Sequence, residues 1–273
     1  MYTHRFGLTT HPLPRDACGK TFFADSAGYR RLERAFAELL EDRGVGLLTG
    51  EAGVGKTAAI RNLCHQLPAP DHRVLYLCDT AVAPLDLYRT LAQELGLTAS
   101  HRRAQLWTDI KKALIHLVDE RATVPILIID EAQHLSDRFL IDLAGFLNFA
   151  FDSRDLLTLW LVGLPPLVRH LQLQMHAPLA MRVAIHVHLD ALERQSFVAC
   201  IEHGLTAVGA TSKLLSDPAM EMLYRASRGV PRVAAKLLRS ALRAAHARNQ
   251  NFLDDTLVQL AVDELALSPS ARP

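Results

Sequence analysis

Gly50-Glu51-Ala52-Gly53-Val54-Gly55-Lys56-Thr57 follows the spacing G-x-x-x-x-G-K-[ST] of a phosphate-binding loop. The chemistry needs this pattern. Glycines at positions 50, 53 and 55 let the backbone fold tightly, so that successive N–H groups point inward at a phosphate chain. The candidate binding set therefore runs from Gly50 through Thr57 to Ala58. Lys56 reaches the terminal phosphates and the Thr57 hydroxyl takes one position on Mg²⁺. The flanks agree with the motif. Val45-Gly46-Leu47-Leu48 precedes it as an apolar strand, and Ala58 to Gln66 follows with helical spacing. The loop thus lies at a helix N-terminus, where the dipole favours anions.

Working outward, short apolar runs at Arg73–Cys78, Pro125–Ile129, Leu156–Val162 and Ala184–Leu189 read as buried strands. Amphipathic stretches at Asp25–Asp42, Leu85–Leu95, Ala104–Glu120 and Asp137–Phe151 read as the helices that alternate with them. Apolar runs in place of alternating patterns predict a parallel sheet covered by helices on both faces. Near Asp190 the pattern changes. Glu193–Val208, Asp217–Ser227, Pro231–Arg248 and Asp254–Leu265 are all helical, with Pro218 and Pro231 suited to first turns. The expected organisation is an N-terminal arm (1–24), an α/β core (25–190), an all-helical lid (191–267) and a disordered tail (268–273). Phe6, Leu8, Phe22 and Phe23 are expected to anchor the arm across the α/β core.

A second nucleotide signal is Ile126-Leu127-Ile128-Ile129-Asp130-Glu131. Carboxylates at the end of a buried parallel strand emerge where open α/β sheets bind ligands. Asp130 is placed to order the Mg²⁺ shell and Glu131 to polarise a water for attack on the terminal phosphate. Together the two motifs read as an ATPase that uses ATP and Mg²⁺. Phosphoryl transfer also wants cations on the developing charge, often supplied by a neighbouring subunit or another domain. Arg182 and Arg232, in Gly229-Val230-Pro231-Arg232, are the two candidates.

Other chemistries find little support. The net charge of +1 gives no global attraction to nucleic acid, so any such binding rests on local basic groups. One group is Arg102 and Arg103 with Lys111 and Lys112, beside His101. Another is Arg239, Arg243 and Arg248. Either set could grip phosphates without reading bases, and a solvated helix face explains them equally well. Cys18, Cys64, Cys78 and Cys200 lack zinc spacing and read as ordinary thiols. Among thirteen histidines, His186 and His188 share a strand face and His170 and His176 are near in sequence. No Cys or carboxylate joins them at ligand spacing, so they read as ordinary polar positions. With no leader and no membrane-spanning stretch, the chain reads as cytosolic.

Phe6-Gly7-Leu8, the Gly50–Thr57 loop, Ile129-Asp130-Glu131-Ala132-Gln133-His134-Leu135 and Gly229-Val230-Pro231-Arg232 occur in this order. The set resembles the ExeA-like/TniB/TnsC group of AAA+ ATPases over nearly the whole chain. The resemblance implies an arginine-finger role for Arg182 across a subunit interface and a sensor role for Arg232. It implies a homo-oligomer, a ring or a helical filament that is hexameric per turn. One branch of that group regulates transposition, assembling on duplex DNA and recruiting a transposase. The other serves secretion-pore assembly and carries a membrane span and wall-binding region beyond its ATPase part. A chain that stops after its lid looks more like the transposition regulator. One departure stands out. The strand ending at Val162 meets Gly163, where many AAA+ proteins carry a polar sensor, and Thr158 lies at its other end, so the first sensor is unassigned.

Overall fold

The computed structural model describes residues 1–266; the expected tail falls outside them. The elements run α1 (Tyr2–Arg5), α2 (Ala27–Asp42), β1 (Gly44–Gly50), α3 (Lys56–His65), β2 (His72–Leu77), α4 (Pro84–Glu94) and α5 (Arg103–Asp119). Then come β3 (Val124–Ile129), α6 (Asp137–Phe146), β4 (Thr158–Gly163), α7 (Pro166–Leu171), α8 (Ala177–Ala180) and β5 (Val183–Leu189). Helices α9 (Arg194–Thr206), α10 (Asp217–Ser227), α11 (Pro231–Ala247) and α12 (Asp255–Ala266) complete the order. The described residues divide into two compact units, one of residues 31–51 and 63–189, the other of 1–30, 52–62 and 190–266.

The first unit is built on five strands in the order β2-β3-β4-β1-β5, all parallel. Their apolar runs are buried from end to end in β4 and nearly so in β3 and β1, as strands covered on both faces must be. Leu75, Leu127, Ile129, Leu159 and Leu161 form the centre of its core with Leu106, Ile110, Leu140 and Phe146 from the helices. Trp160, fully buried, stacks on Phe36 of α2 at 5.8 Å. Gly46 exists to admit it, because a Cβ there would lie 2.7 Å from the Trp160 ring and 2.8 Å from Leu39. Parallel pairing brings the carboxyl ends of all five strands to one edge, where Gly50 ends β1 and Asp130 follows β3.

The helix expected over Asp137–Phe151 stops at Phe146. Phe149 turns inward to pair with Arg154 and is buried, while Ala150, Phe151 and Asp152 all take left-handed φ values of 49°, 59° and 63°. Burying Phe149 wins over continuing an amphipathic helix whose next turn would have exposed it. Helices α7 and α8, between β4 and β5, went unread in the sequence because each is too short to show a period.

The second unit has its own core of Phe197, Ile201, Leu223, Leu238, Leu242, Leu257 and Val258. Tyr2, Phe6 and Leu8 belong to that core. This corrects the expectation that the arm's anchors lie across the sheet, and the reason is burial: α11 offers an apolar face of Leu237, Ala241 and Ala245 on which they lose their water. Arg239 caps the arrangement by donating to the carbonyl of Leu13 at 2.7 Å. Further along the arm, the Gly19 N–H donates to the side chain of Asn62, which in turn donates to the Tyr29 hydroxyl.

Candidate nucleotide site

The phosphate loop leaves β1 at Gly50 and enters α3 at Lys56, the strand–loop–helix setting the motif requires. Gly53 and Gly55 adopt φ values of 88° and 107°, which side-chain-bearing residues avoid. Lys56 is 9% exposed and Thr57 half-buried at the first turn of α3. Within its own unit the loop meets the start of α11. The Arg232 N–H donates to the Gly53 carbonyl at 3.3 Å, and a Cβ on Gly53 would lie 3.0 Å from Arg232 Cβ and 3.1 Å from Val230. Pro231 makes this geometry cheap, since its fixed φ suits the first helical turn. The Arg232 side chain itself is exposed.

At the end of β3, Asp130 is 3% exposed. Its Oδ1 accepts from the Glu131 N–H at 2.8 Å and its Oδ2 from the Tyr76 hydroxyl at 3.0 Å. Burial, then the Asp130 charge, raise the Tyr76 pKa well above that of a free phenol, so Tyr76 stays a donor at any physiological pH. Glu131 sits in the left-handed region at φ 51°, ψ 36°. A non-glycine residue there costs on the order of 1–3 kcal/mol and persists only where its surroundings over-determine it. Three contacts do so. Asp130 holds the Glu131 N–H, Thr80 donates to its carbonyl at 2.8 Å, and Gln133 Nε2 donates to its Oε2 at 2.7 Å.

Gln133 is the residue that sequence reasoning missed. Its Oε1 accepts from the Leu164 N–H at 3.0 Å, just past the end of β4, while its amide holds Glu131. The space it uses is the one vacated at Gly163, where a Cβ would lie 2.7 Å from Gln133 Oε1. The missing polar residue at the end of β4 is thus replaced by one from the segment after β3. Thr158 is occupied elsewhere, fully buried and donating to the Leu39 carbonyl at 3.2 Å.

Arg182 follows α8, with 23% of its side chain exposed, and pairs with Asp152 at 2.5 Å in the left-handed loop after α6. The basic group at the start of α5 divides. Arg103 pairs with Asp142 at 2.8 Å and stacks on Trp107, its guanidinium carbon 4.4 Å from the ring centre. Lys111 donates to the Asn148 carbonyl at 2.7 Å over the Phe149 ring, and burial lowers its pKa. Arg102 and Lys112 are exposed to solvent. His186 and His188 share Thr49, whose buried hydroxyl lies 2.8 and 2.9 Å from their rings. His170 and His176, read as ordinary polar positions, are joined by a carboxylate after all: both place Nε2 on Asp137, which spacing along the chain did not reveal.

A family model described as an AAA domain matches residues 39–171, a span that takes in both nucleotide motifs. The chain resembles Cdc6p of Pyrobaculum aerophilum with a TM-score of 0.71 at 15% identity, covering 93% of this chain and 72% of that one. The chain is a P-loop ATPase with the AAA+ fold. A structure of Drosophila ORC bound to DNA matches this ATPase with a TM-score of 0.73 at 16% identity, over 98% of this chain and 66% of that one. Among curated proteins, general secretion pathway protein A of Aeromonas hydrophila is 29% identical over 269 residues. That match takes in 97% of the ATPase and about half, 49%, of the relative's length. Among the described residues no helix is long and apolar enough to cross a membrane.

Proposed function

We propose that this ATPase is a cytoplasmic, ATP-dependent regulator of DNA transposition, with residues 25–190 as its core and 191–267 as its lid. In this reading it oligomerises on duplex DNA, presents itself to a transposase, and disassembles when ATP is hydrolysed. The observation that carries the reading is the contact between Gly53 and Arg232. The phosphate loop and the first turn of α11 touch, so a nucleotide in the loop is felt by the helical unit, as a switch demands. The order of the four motifs supports the group that holds both the transposition and the secretion branch, and the likeness to ORC solved on DNA supports a duplex partner.

The chemistry assigned to each residue follows its setting. Lys56 lies at the helix N-terminus, where its charge and the N–H groups of Gly50 through Ala58 suit the phosphates of ATP. Thr57 and Asp130 are hard oxygen donors of the kind that suits Mg²⁺. The ion, when bound, neutralises charge on the phosphate oxygens. Glu131 accepts the proton of the attacking water, its carboxylate held in place by Gln133. Arg182 serves the site of the next subunit and Arg232 its own. Arg102 and Lys112, the members of the basic group free to face phosphates, supply non-specific DNA contacts.

A second reading is favoured by the Aeromonas relative: an ATPase of secretion-pore assembly with no DNA role. One pair of measurements separates them. ATP turnover is measured with and without duplex DNA at two salt concentrations, and mixtures with a non-hydrolysable ATP analogue are viewed by electron microscopy. The transposition reading expects DNA stimulation that fades with salt, and ordered particles on DNA only with nucleotide. Turnover indifferent to DNA, with no assembly on it, moves the protein to the second reading.

A further inference from the structure

We propose that Asp137, His170 and His176 form a binding site for a divalent ion of the zinc class, separate from the nucleotide chemistry. Asp137 opens α6, His170 lies in the last turn of α7, and His176 closes a 3-10 turn (Gln174–His176) ahead of α8. His170 Nε2 lies 2.6 Å and His176 Nε2 2.9 Å from the same Asp137 oxygen, Oδ1. One donor atom from each residue falls within 4.8 Å of the others. The rings stand at 86° to each other, so their nitrogens approach one point from different directions.

Two imidazoles and a carboxylate are the donor set of three-ligand zinc sites, which keep a fourth position for water. A tetrahedral ion about 2.0–2.2 Å from each ligand wants the donor atoms about 3.3–3.5 Å apart. The present spacings, 2.6 and 2.9 Å, are about 0.4–0.9 Å too tight on the Asp137 side. That side is the one able to yield, since half of the Asp137 side chain is exposed while His176 is fully enclosed. His170 is 24% exposed, so the fourth position opens to solvent. Ser136 caps α6 by accepting the Phe139 N–H, leaving the Asp137 carboxylate to the two rings.

The buried ring is the telling feature. A His176 side chain with no exposure carries a desolvation cost that an apolar residue would avoid. Its Nε2 is on Asp137, while its Nδ1, on the other side of the ring, has no hydrogen-bond partner. Among the described residues this is the one cluster with such a donor set. A bound ion would staple the starts of α6 and α8 to α7. Glu131 lies six residues before Asp137, and Arg182 six residues after His176.

The test uses the full chain without a histidine tag, stripped by a chelator and titrated with Co²⁺. Visible absorption of the bound ion is followed, with Zn²⁺ as competitor. Saturation at about one equivalent, reversal by Zn²⁺, and weakening by more than about tenfold in both His170→Ala and Asp137→Asn are expected. His186→Ala, on the other histidine pair, leaves binding unchanged. Asp137→Asn keeps the side-chain shape and the Ser136 cap, so its thermal melting without metal separates lost ligation from lost folding. Absence of saturable binding overturns the proposal. So does binding that both variants retain, or variants that alter only the melting temperature, which would identify a hydrogen-bonded clasp and nothing more.

Discussion

Gln133 spends both ends of its amide at once, one on Glu131 Oε2 and one on the backbone beyond β4. It touches no reacting atom in the proposed chemistry, so it is a positioning residue for Glu131. Misplacing a catalytic group by about 1 Å costs about 100-fold in rate. Gln133→Ala is therefore expected to lower kcat by about 10- to 100-fold with KM for ATP nearly unchanged. Glu131→Gln, which removes the proposed base itself, should cost about 100- to 10,000-fold while nucleotide still binds. Steady-state kinetics and fluorescent-nucleotide titration on the two variants check both statements. If Gln133→Ala weakens ATP binding as much as turnover, its role is in shaping the loop and not in aiming Glu131. The sequence announced Glu131 because a carboxylate after an apolar strand has a local signature. Gln133 stood in the same motif, but its role was not legible, since it depends on an absent side chain at Gly163, thirty residues later.

Strand β1 shows why the sheet was readable and its surroundings less so. Val45, Leu47 and Leu48 form a continuous apolar run because β1 lies inside the sheet, between β4 and β5, and is buried on both faces. Such runs identify strands without any contact information. The reason for Gly46 is long-range, set by Trp160 and Leu39. Trp160 has no exposed surface and stacks on Phe36, so an added methyl finds no room. Gly46→Ala is expected to destabilise the fold by about 1–3 kcal/mol, the usual range for overpacking a core. Urea denaturation checks it: the midpoint should fall with an unchanged m-value. An unchanged midpoint would mean that the Trp160 pocket relaxes freely. Helix α6 illustrates the opposite limit. Its apolar pattern continues past Phe146, yet Phe149 is buried by leaving the helix, and periodicity cannot report that choice. The same limit hid the Asp137 cluster, whose members are 33 and 39 residues apart.

For the molecule as a whole, the question is what completes its hydrolytic machinery. Within one chain Arg182 is paired with Asp152, on a loop whose three left-handed residues are strained. The Asp152 side chain is about half exposed, at 52%, and ion pairs of this kind contribute about 0–1 kcal/mol. That is small against a phosphoryl group in a neighbour's site, where an arginine finger accounts for about 1,000- to 100,000-fold in rate. If Arg182 is the finger, as proposed, the pair is a weak rest position that assembly would exchange for the nucleotide. Two outcomes follow for ATP turnover measured against protein concentration. Arg182→Ala should bind ATP normally but lose the rise in specific activity that accompanies assembly. Asp152→Asn should shift that rise to lower concentration by at most about fivefold, since releasing 1 kcal/mol is worth no more. If Arg182→Ala keeps its full concentration-dependent activity, the finger lies elsewhere and the site is completed by another residue.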